Sequence, residues 1–296
     1  MTTSFFDRLA ERIAAVDSVV SVGLDPDPDR LPETVADADL PRWAFNRRIV
    51  DATHEHAACY KPNAAFYEGP DGWRALRETI AYAHGKGVPV LLDAKRADIG
   101  NTARQYASVL DDPGDGGLGA DAITVNPYLG RDALEPFLQR GAAGVFVLCR
   151  TSNSGGADLQ DLALENGEPL YERVAALADL WNRNDNVGLV VGATAPEELE
   201  EIREAVPGLP FLVPGVGAQG GDAEAAVEFG LAEWKHPVEG DGPAGGGDGE
   251  TEVAVGLVNS LRGIIFAGEG ARDPDRYFDA AGAAARDLKG RLNQFR

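Results

Sequence analysis

Short apolar, β-branched runs recur along the chain and alternate with segments in which apolar residues return every three or four positions. The first pattern is typical of buried strands and the second of amphipathic helices. Near-continuous apolar strands that alternate with helices predict a parallel sheet covered by helices. The strand candidates are 18–25, 57–63, 89–95, 121–127, 144–150, 187–193, 210–217 and 252–260.

Eight strands in 296 residues predict an α/β fold of the (β/α)₈ TIM-barrel type, with residues 1–296 as one domain. A doubly wound open sheet is the alternative. The segment 230–250, rich in Gly, Pro and acidic residues, predicts a flexible surface insertion before the eighth strand. The first 17 residues have helical spacing and predict a surface helix rather than a signal peptide.

The formal net charge of −21 narrows the possible partners. Nucleic acids and anionic membranes both require a basic face, so neither is an expected partner. The chain has only five lysines against 22 arginines. Many acids and few lysines suit a protein kept soluble at high salt and predict a halophilic source; an ordinary acidic protein is the alternative.

Two further features of composition bear on location. The chain has no run of about 18 apolar residues, so no membrane span is expected. Its two cysteines form no CxxC motif or Cys/His cluster, which argues against a zinc site or a disulfide framework. A reducing, cytoplasmic location is the expectation.

Polar and charged residues follow the predicted strands. In a TIM barrel the carboxyl ends of the strands form the active site, so these residues are the candidates for function. They are Asp25, Lys61, Asp93, Lys95, Asn126, Ser152, Gln219 and Arg262.

The segment LLDAKRADIGNT (91–102) concentrates the charge. Asp93 and Lys95 are two apart, so in a regular strand their side chains share a face. If that face is buried, each charge needs a partner, because a lone buried charge costs several kcal/mol, on the order of 3–5. Lys61 and Asp98 would complete an alternating array in which each charge favours its neighbour's charged form and a lysine delivers a proton. The simpler alternative is a strand that leaves the core into solvent.

A second group of residues predicts an anion site. The glycines of PGVGAQGGD (214–222), together with Gln219, precede a helical pattern, so free backbone N–H groups can face a phosphate. Arg262 follows the eighth strand, and barrels often bind phosphate after strands seven and eight.

These motifs resemble the orotidine 5′-phosphate decarboxylase family. DAKRADIGNTA (93–103) resembles the family signature D-x-K-x-x-D-I-x-x-T, and the resemblance runs from about residue 5 to 290, apart from the insertion. The KPN and TSN forms resemble the longer subgroup of the family. Six other blocks match in order: SVGLDPDP, YKPNAAFYE, TVNPYLG, LCRTSNSG, PGVGAQGGD and SLRGIIFA.

The resemblance implies conversion of orotidine 5′-phosphate to UMP and CO₂ in pyrimidine biosynthesis, without metal or organic cofactor. It implies that Lys95 protonates C6 of the pyrimidine, with Asp93 near the substrate carboxylate. It also implies a homodimer in which Asp98 and Thr102 reach the partner's site. The remaining implied contacts are Asp25 and Lys61 with ribose, Ser152 with the pyrimidine, Gln219 and Arg262 with phosphate, and Asn126 with the substrate.

Two positions depart from the family pattern. Leu261 stands where the family usually has serine before arginine, with Ser260 one place earlier, and Ser154 stands where proline is frequent. Two other functions stay open. One is a metal-dependent enzyme of the same superfamily acting on a sugar phosphate with Mg²⁺. The other is a non-catalytic barrel that binds a phosphorylated ligand.

Overall fold

Eight parallel strands close into a barrel in the computed structural model, which describes residues 3–194, 196–216, 220–238, 249–271 and 273–296. The sheet order is β2-β1-β10-β7-β6-β5-β4-β3, and bridges Tyr60–Val90 and Asn63–Asp93 bring β2 beside β3. The TIM-barrel prediction is confirmed. The strands are β1 (Val20–Leu24), β2 (Cys59–Pro62), β3 (Leu91–Arg96), β4 (Ala122–Val125), β5 (Gly144–Arg150), β6 (Val187–Val191), β7 (Phe211–Pro214), β8 (Ala232–Val238), β9 (Gly249–Val255) and β10 (Leu257–Ser260).

Helices lie between the strands in the alternation that the hydrophobic pattern predicts. None of the helices in the described part of the chain is long and apolar enough to cross a membrane. They are α1 (Phe5–Val16), α2 (Glu33–Ala36), α3 (Pro41–Thr53), α4 (Gly72–Gly85), α5 (Gly100–Ala107), α6 (Arg131–Leu138), α7 (Leu170–Trp181), α8 (Pro196–Ala205), α9 (Ala223–Glu228), α10 (Arg262–Ile265) and α11 (Pro274–Leu292).

The N-terminal helix α1 is more deeply packed than a surface helix. Ser4 and Asp7 form a capping box at its start, and its apolar face is fully buried. The Phe6 ring contacts the ring of Phe146 with centroids 5.7 Å apart, and that of Trp234 at 5.2 Å. The helix prediction therefore holds, but the helix belongs to the core at one end of the barrel.

The eighth predicted strand, 252–260, is divided in the structure. β9 pairs antiparallel with β8 in a separate two-stranded ribbon, and only β10 belongs to the barrel. Gly256 lies at the division, where an added Cβ would come within 2.5 Å of the Gly230 carbonyl oxygen. Part of the predicted insertion is thus regular strand, while residues 239–248 lie outside the described residues.

A largely buried aspartate joins several elements at the start of β4. Asp121 Oδ2 accepts the Val90 backbone N–H at 2.8 Å and lies 2.7 Å from His84 Nε2 of α4. Its other oxygen, Oδ1, lies 3.0 Å from the Arg8 guanidinium of α1. Burial raises the pKa of this carboxyl, but these hydrogen bonds and charges outweigh burial and lower it overall.

Candidate active site

Three charged side chains meet near the carboxyl ends of β2 and β3. Asp93 Oδ2 lies 3.0 Å from Lys61 Nζ, and Asp93 Oδ1 lies 2.5 Å from Lys95 Nζ. The side chains of Lys61 and Asp93 are 7% and 11% exposed, whereas that of Lys95 is 47% exposed. One lysine is therefore buried against the carboxylate, and the other reaches from it into open space.

The backbone that carries Lys95 is irregular. The β3–β4 register shifts between Leu92 and Arg96, and Lys95 has φ 50°, in the left-handed region that only a few per cent of non-glycine residues adopt. Asp93 and Lys95 do meet, as the sequence predicts. The reason is different, because a bulge rather than regular strand alternation directs the lysine side chain.

Thr124 of β4 holds this bulge. Its Oγ1 accepts backbone N–H groups from Ala94 at 3.0 Å and Lys95 at 2.9 Å, and donates to Asp93 Oδ1 at 2.9 Å. Thr124 belongs to none of the site residues that the sequence predicts. The only signal available was a hydroxyl within the otherwise apolar run AITV (122–125).

The charges in the cluster stabilise one another. Burial raises the pKa of Asp93, but the charges and hydrogen bonds of Lys61 and Lys95 outweigh it and hold that pKa well below its usual range. Burial lowers the pKa of Lys61, and Asp93 and Asp25 raise it overall. Asp93 is therefore a carboxylate and Lys61 an ammonium at neutral pH.

Asp25, at the end of β1, is a second buried carboxyl beside Lys61. Burial raises its pKa to about 6, partly offset by the positive charge of Lys61. Its Oδ1 is buried and accepts no hydrogen bond from the described residues. A buried acceptor without a donor is a candidate ligand contact.

Asp98 does not join the cluster within this chain. It lies just beyond β3, and its Oδ1 accepts the Ile99 backbone N–H at 2.7 Å. Among the described residues it forms no ion pair. Thr102, on α5, is exposed. The four-charge array predicted from sequence is therefore, within one chain, an array of Asp25, Lys61, Asp93 and Lys95.

The other predicted site residues occupy two places. The Asn126 side chain accepts the Tyr128 backbone N–H at 3.0 Å in the turn after β4. Ser152 and Arg262 line a cavity of about 130 Å³ at the ends of β5, β7 and β10, which Leu261 also lines. Gln219 lies outside the described residues.

Metal ligands are not clustered in the described part of the chain, where no group of three or more His, Cys, Asp or Glu side chains could hold an ion.

A TIM barrel with a lysine–carboxylate centre at the carboxyl ends of its strands, and a cavity at the ends of β7 and β10 where such barrels often bind phosphate, has the architecture of a barrel enzyme. A sequence model of the "Orotidine 5'-phosphate decarboxylase / HUMPS family" matches residues 18–232. The chain belongs to this family.

Relatives and solved structures agree with this assignment. Orotidine 5'-phosphate decarboxylases of Halorubrum lacusprofundi and Haloarcula marismortui are 74% and 73% identical to the chain. Each alignment covers 99% of this chain, and 100% and 99% of the respective relative. The structure of Leishmania donovani OMP decarboxylase is 40% identical, with a TM-score of 0.76 over 99% of this chain and 98% of that one.

Proposed function

We propose that this chain decarboxylates orotidine 5′-phosphate to UMP and CO₂, with Lys61, Asp93 and Lys95 at the reaction centre. The observation that carries the proposal is one carboxylate held between a buried ammonium and a half-exposed one. A relative that is 74% identical over 99% of the chain bears the name of this activity. The sugar-phosphate alternative finds no such support among these relatives.

Lys95 is the proton donor in this proposal. Decarboxylation breaks the bond between C6 and the carboxylate carbon, so that CO₂ leaves and the electron pair stays on C6. A fixed ammonium stabilises this charge and then transfers a proton to C6, which gives UMP, and water reprotonates the lysine. Lys95 suits this role better than Lys61 because its side chain is far more exposed.

Asp93 holds both lysines and lies near the substrate carboxylate. Its low pKa keeps it charged throughout the working pH range, so it positions Lys95 without competing as an acid. We assign Asp25 and Lys61 to the ribose hydroxyls. The buried Oδ1 of Asp25, which lacks a donor, matches a hydroxyl that donates one.

The phosphate occupies the cavity at the ends of β7 and β10 in this proposal. Ser152 and Arg262 line this cavity; we assign the positive charge to Arg262 and the contact with the pyrimidine to Ser152. Gln219, which lies outside the described residues, keeps the phosphate contact that the family resemblance implies. Leu261 supplies no polar side chain, so a backbone N–H replaces the serine contact usual in the family. Asn126 completes the substrate contacts from the turn after β4.

A second copy of the chain completes the site. Asp98 forms no ion pair among the described residues and Thr102 is exposed, and we assign both to the partner's site. Three large apolar side chains in the segments after β3 and β4 are open to solvent: Ile99, next to Asp98 in sequence, is 62% exposed, Tyr128 77% and Leu129 49%. We assign these side chains to the surface that the partner covers.

A metal-free assay tests the proposal. Protein treated with a chelator is expected to consume orotidine 5′-phosphate, followed by loss of its ultraviolet absorbance, at the rate of untreated protein. Loss of all activity with the chelator, restored by Mg²⁺, would favour the metal-dependent sugar-phosphate enzyme. UMP binding without turnover would favour the non-catalytic barrel.

A further inference from the structure

We infer that Thr124 is a positioning residue, whose hydroxyl holds the β3 bulge and the Asp93 carboxylate in the arrangement that presents Lys95 to the substrate. The role rests on the proposed function. Thr124 is 1% exposed and lies behind Asp93 rather than in the open space that Lys95 reaches, so it acts through those two residues.

The hydrogen bonds of Thr124 leave its hydroxyl one orientation. A hydroxyl has one proton and two lone pairs. The backbone N–H groups of Ala94 and Lys95 occupy the lone pairs at 3.0 and 2.9 Å. The proton must therefore point to Asp93 Oδ1, which lies 2.9 Å away. The backbone of the bulge thus determines which Asp93 oxygen receives the hydroxyl proton.

The same hydroxyl stabilises a strained backbone. Lys95 has φ 50°, a conformation that costs a non-glycine residue free energy and persists only where its surroundings impose it. The shift in register between Leu92 and Arg96 removes regular strand partners for the amides in between. Thr124 supplies a partner for two of these amides, those of Ala94 and of Lys95 itself.

Thr124 and Lys95 also converge on one carboxylate oxygen. Asp93 Oδ1 receives the hydroxyl and, at 2.5 Å, the Lys95 ammonium, while Oδ2 receives Lys61. Loss of the hydroxyl would remove hydrogen bonds from the backbone of the bulge and would also allow the Asp93 carboxylate to rotate. The reacting ammonium would then lose its position, while Asp25 and the residues assigned to the phosphate, which Thr124 does not contact, would remain in place.

The test compares Thr124→Val, which keeps the shape and removes the hydroxyl, with Thr124→Ser, which keeps the hydroxyl. We expect Thr124→Val to lower kcat about 10- to 100-fold. KM and the dissociation constant of UMP should change less than about threefold, because these report binding groups that Thr124 does not touch. Thr124→Ser should restore kcat to within about threefold of wild type.

Thr79→Val is the matched control. Thr79 is a fully buried threonine of α4 whose hydroxyl donates to the Ala75 carbonyl and accepts from Asn46, neither of which belongs to the charged cluster. Its loss should lower the melting temperature and leave kcat unchanged.

Three results would overturn the role of Thr124. A Thr124→Val enzyme with wild-type kcat would show that the hydroxyl is dispensable. A Thr124→Val enzyme whose kcat and UMP affinity fall together, or one that does not fold, would show that the threonine has only a structural role. A wild-type protein that does not decarboxylate orotidine 5′-phosphate would instead refute the proposed function.

Discussion

Asp93 and Asp121 are aspartates with little exposure near opposite ends of the same barrel, and both have a lowered pKa. Asp121, at the start of β4, is bonded to groups of α1, α4 and the strand before it. Asp93, towards the end of β3, is bonded to Thr124 and two lysines. Both carboxylates are therefore paired, but with partners of different kinds.

The two carboxylates differ in whether the groups around them remain free to bind a ligand. The partners of Asp121 join helices and strands to one another, so this ion cluster contributes to stability. At the other end, Lys95 stands in a strained backbone with its ammonium half-exposed, and Asp25 retains a buried oxygen without a donor. The strained backbone and the polar atoms without hydrogen-bond partners therefore lie at the end of the barrel where a ligand can bind.

The strongest test of this contrast is Lys95→Ala. We expect kcat to fall at least about 10³-fold, because the proton donor and the charge that stabilises C6 are both lost. The melting temperature should stay within about 2 °C of wild type, since Asp93 keeps Lys61 and Thr124 as partners. Activity near wild type would show that another group donates the proton.

Mixing two inactive variants tests whether Asp98 serves the partner. Lys95→Ala and Asp98→Ala chains, combined and allowed to exchange subunits, form heterodimers in which one of the two sites is intact. Half of the dimers are mixed at equal amounts, so about a quarter of wild-type activity should return. If the mixture stays inactive although exchange is verified by mass, Asp98 acts within its own chain.

Asp25→Asn should stabilise the protein at neutral pH. The folded pKa of Asp25 is about 6, above the 3.8 of an unfolded aspartate, so the folded state binds the extra proton between these values. The wild-type free energy of unfolding therefore falls, relative to the variant, as pH rises from about 4 to 6.

Above pH 6 the variant should be more stable by up to about 3 kcal/mol, measured by denaturant unfolding across pH. It should also bind UMP more weakly. A difference in stability that does not depend on pH would contradict this account of Asp25.

Asp121→Asn should have the opposite effect. Its folded pKa is lowered, so its stabilisation is present above the unfolded pKa and is lost as pH falls through the folded pKa. We expect a loss of about 2 kcal/mol at pH 7 that shrinks in acid. The kcat of the folded enzyme should be unchanged, and a reduced kcat would show that the two ends of the barrel are coupled.

Salt should weaken the repulsion among surface charges more than it weakens the ion pairs of Asp93 and Asp121. The net charge of −21 produces self-repulsion, which weakens as the Debye length falls from about 10 Å at 0.1 M to 3 Å at 1 M. Melting temperature and activity should therefore rise with KCl, while the stability difference between wild type and Asp121→Asn stays nearly constant. An activity optimum in dilute buffer would contradict the prediction of a halophilic protein.

The barrel itself could be predicted from the chain. Each of the eight predicted strand segments contains a barrel strand within its bounds, or to within one residue, because a strand covered on both faces is apolar throughout and stands out from amphipathic helices. The division of 252–260 could not be predicted, since its apolar run continues through Gly256. Only the close approach of the Gly230 carbonyl shows why the chain changes partners there.

The identity of the charged residues was readable from the sequence, since Asp25, Lys61, Asp93 and Lys95 each follow or end an apolar run. Which of them touch, and which stay open to a ligand, was decided by tertiary structure. The left-handed backbone of Lys95 and the bonds of Thr124 depend on two strands meeting out of register. Local sequence specifies the residues and the period of a strand, whereas a bulge exists only between two strands, and here it directs the lysine.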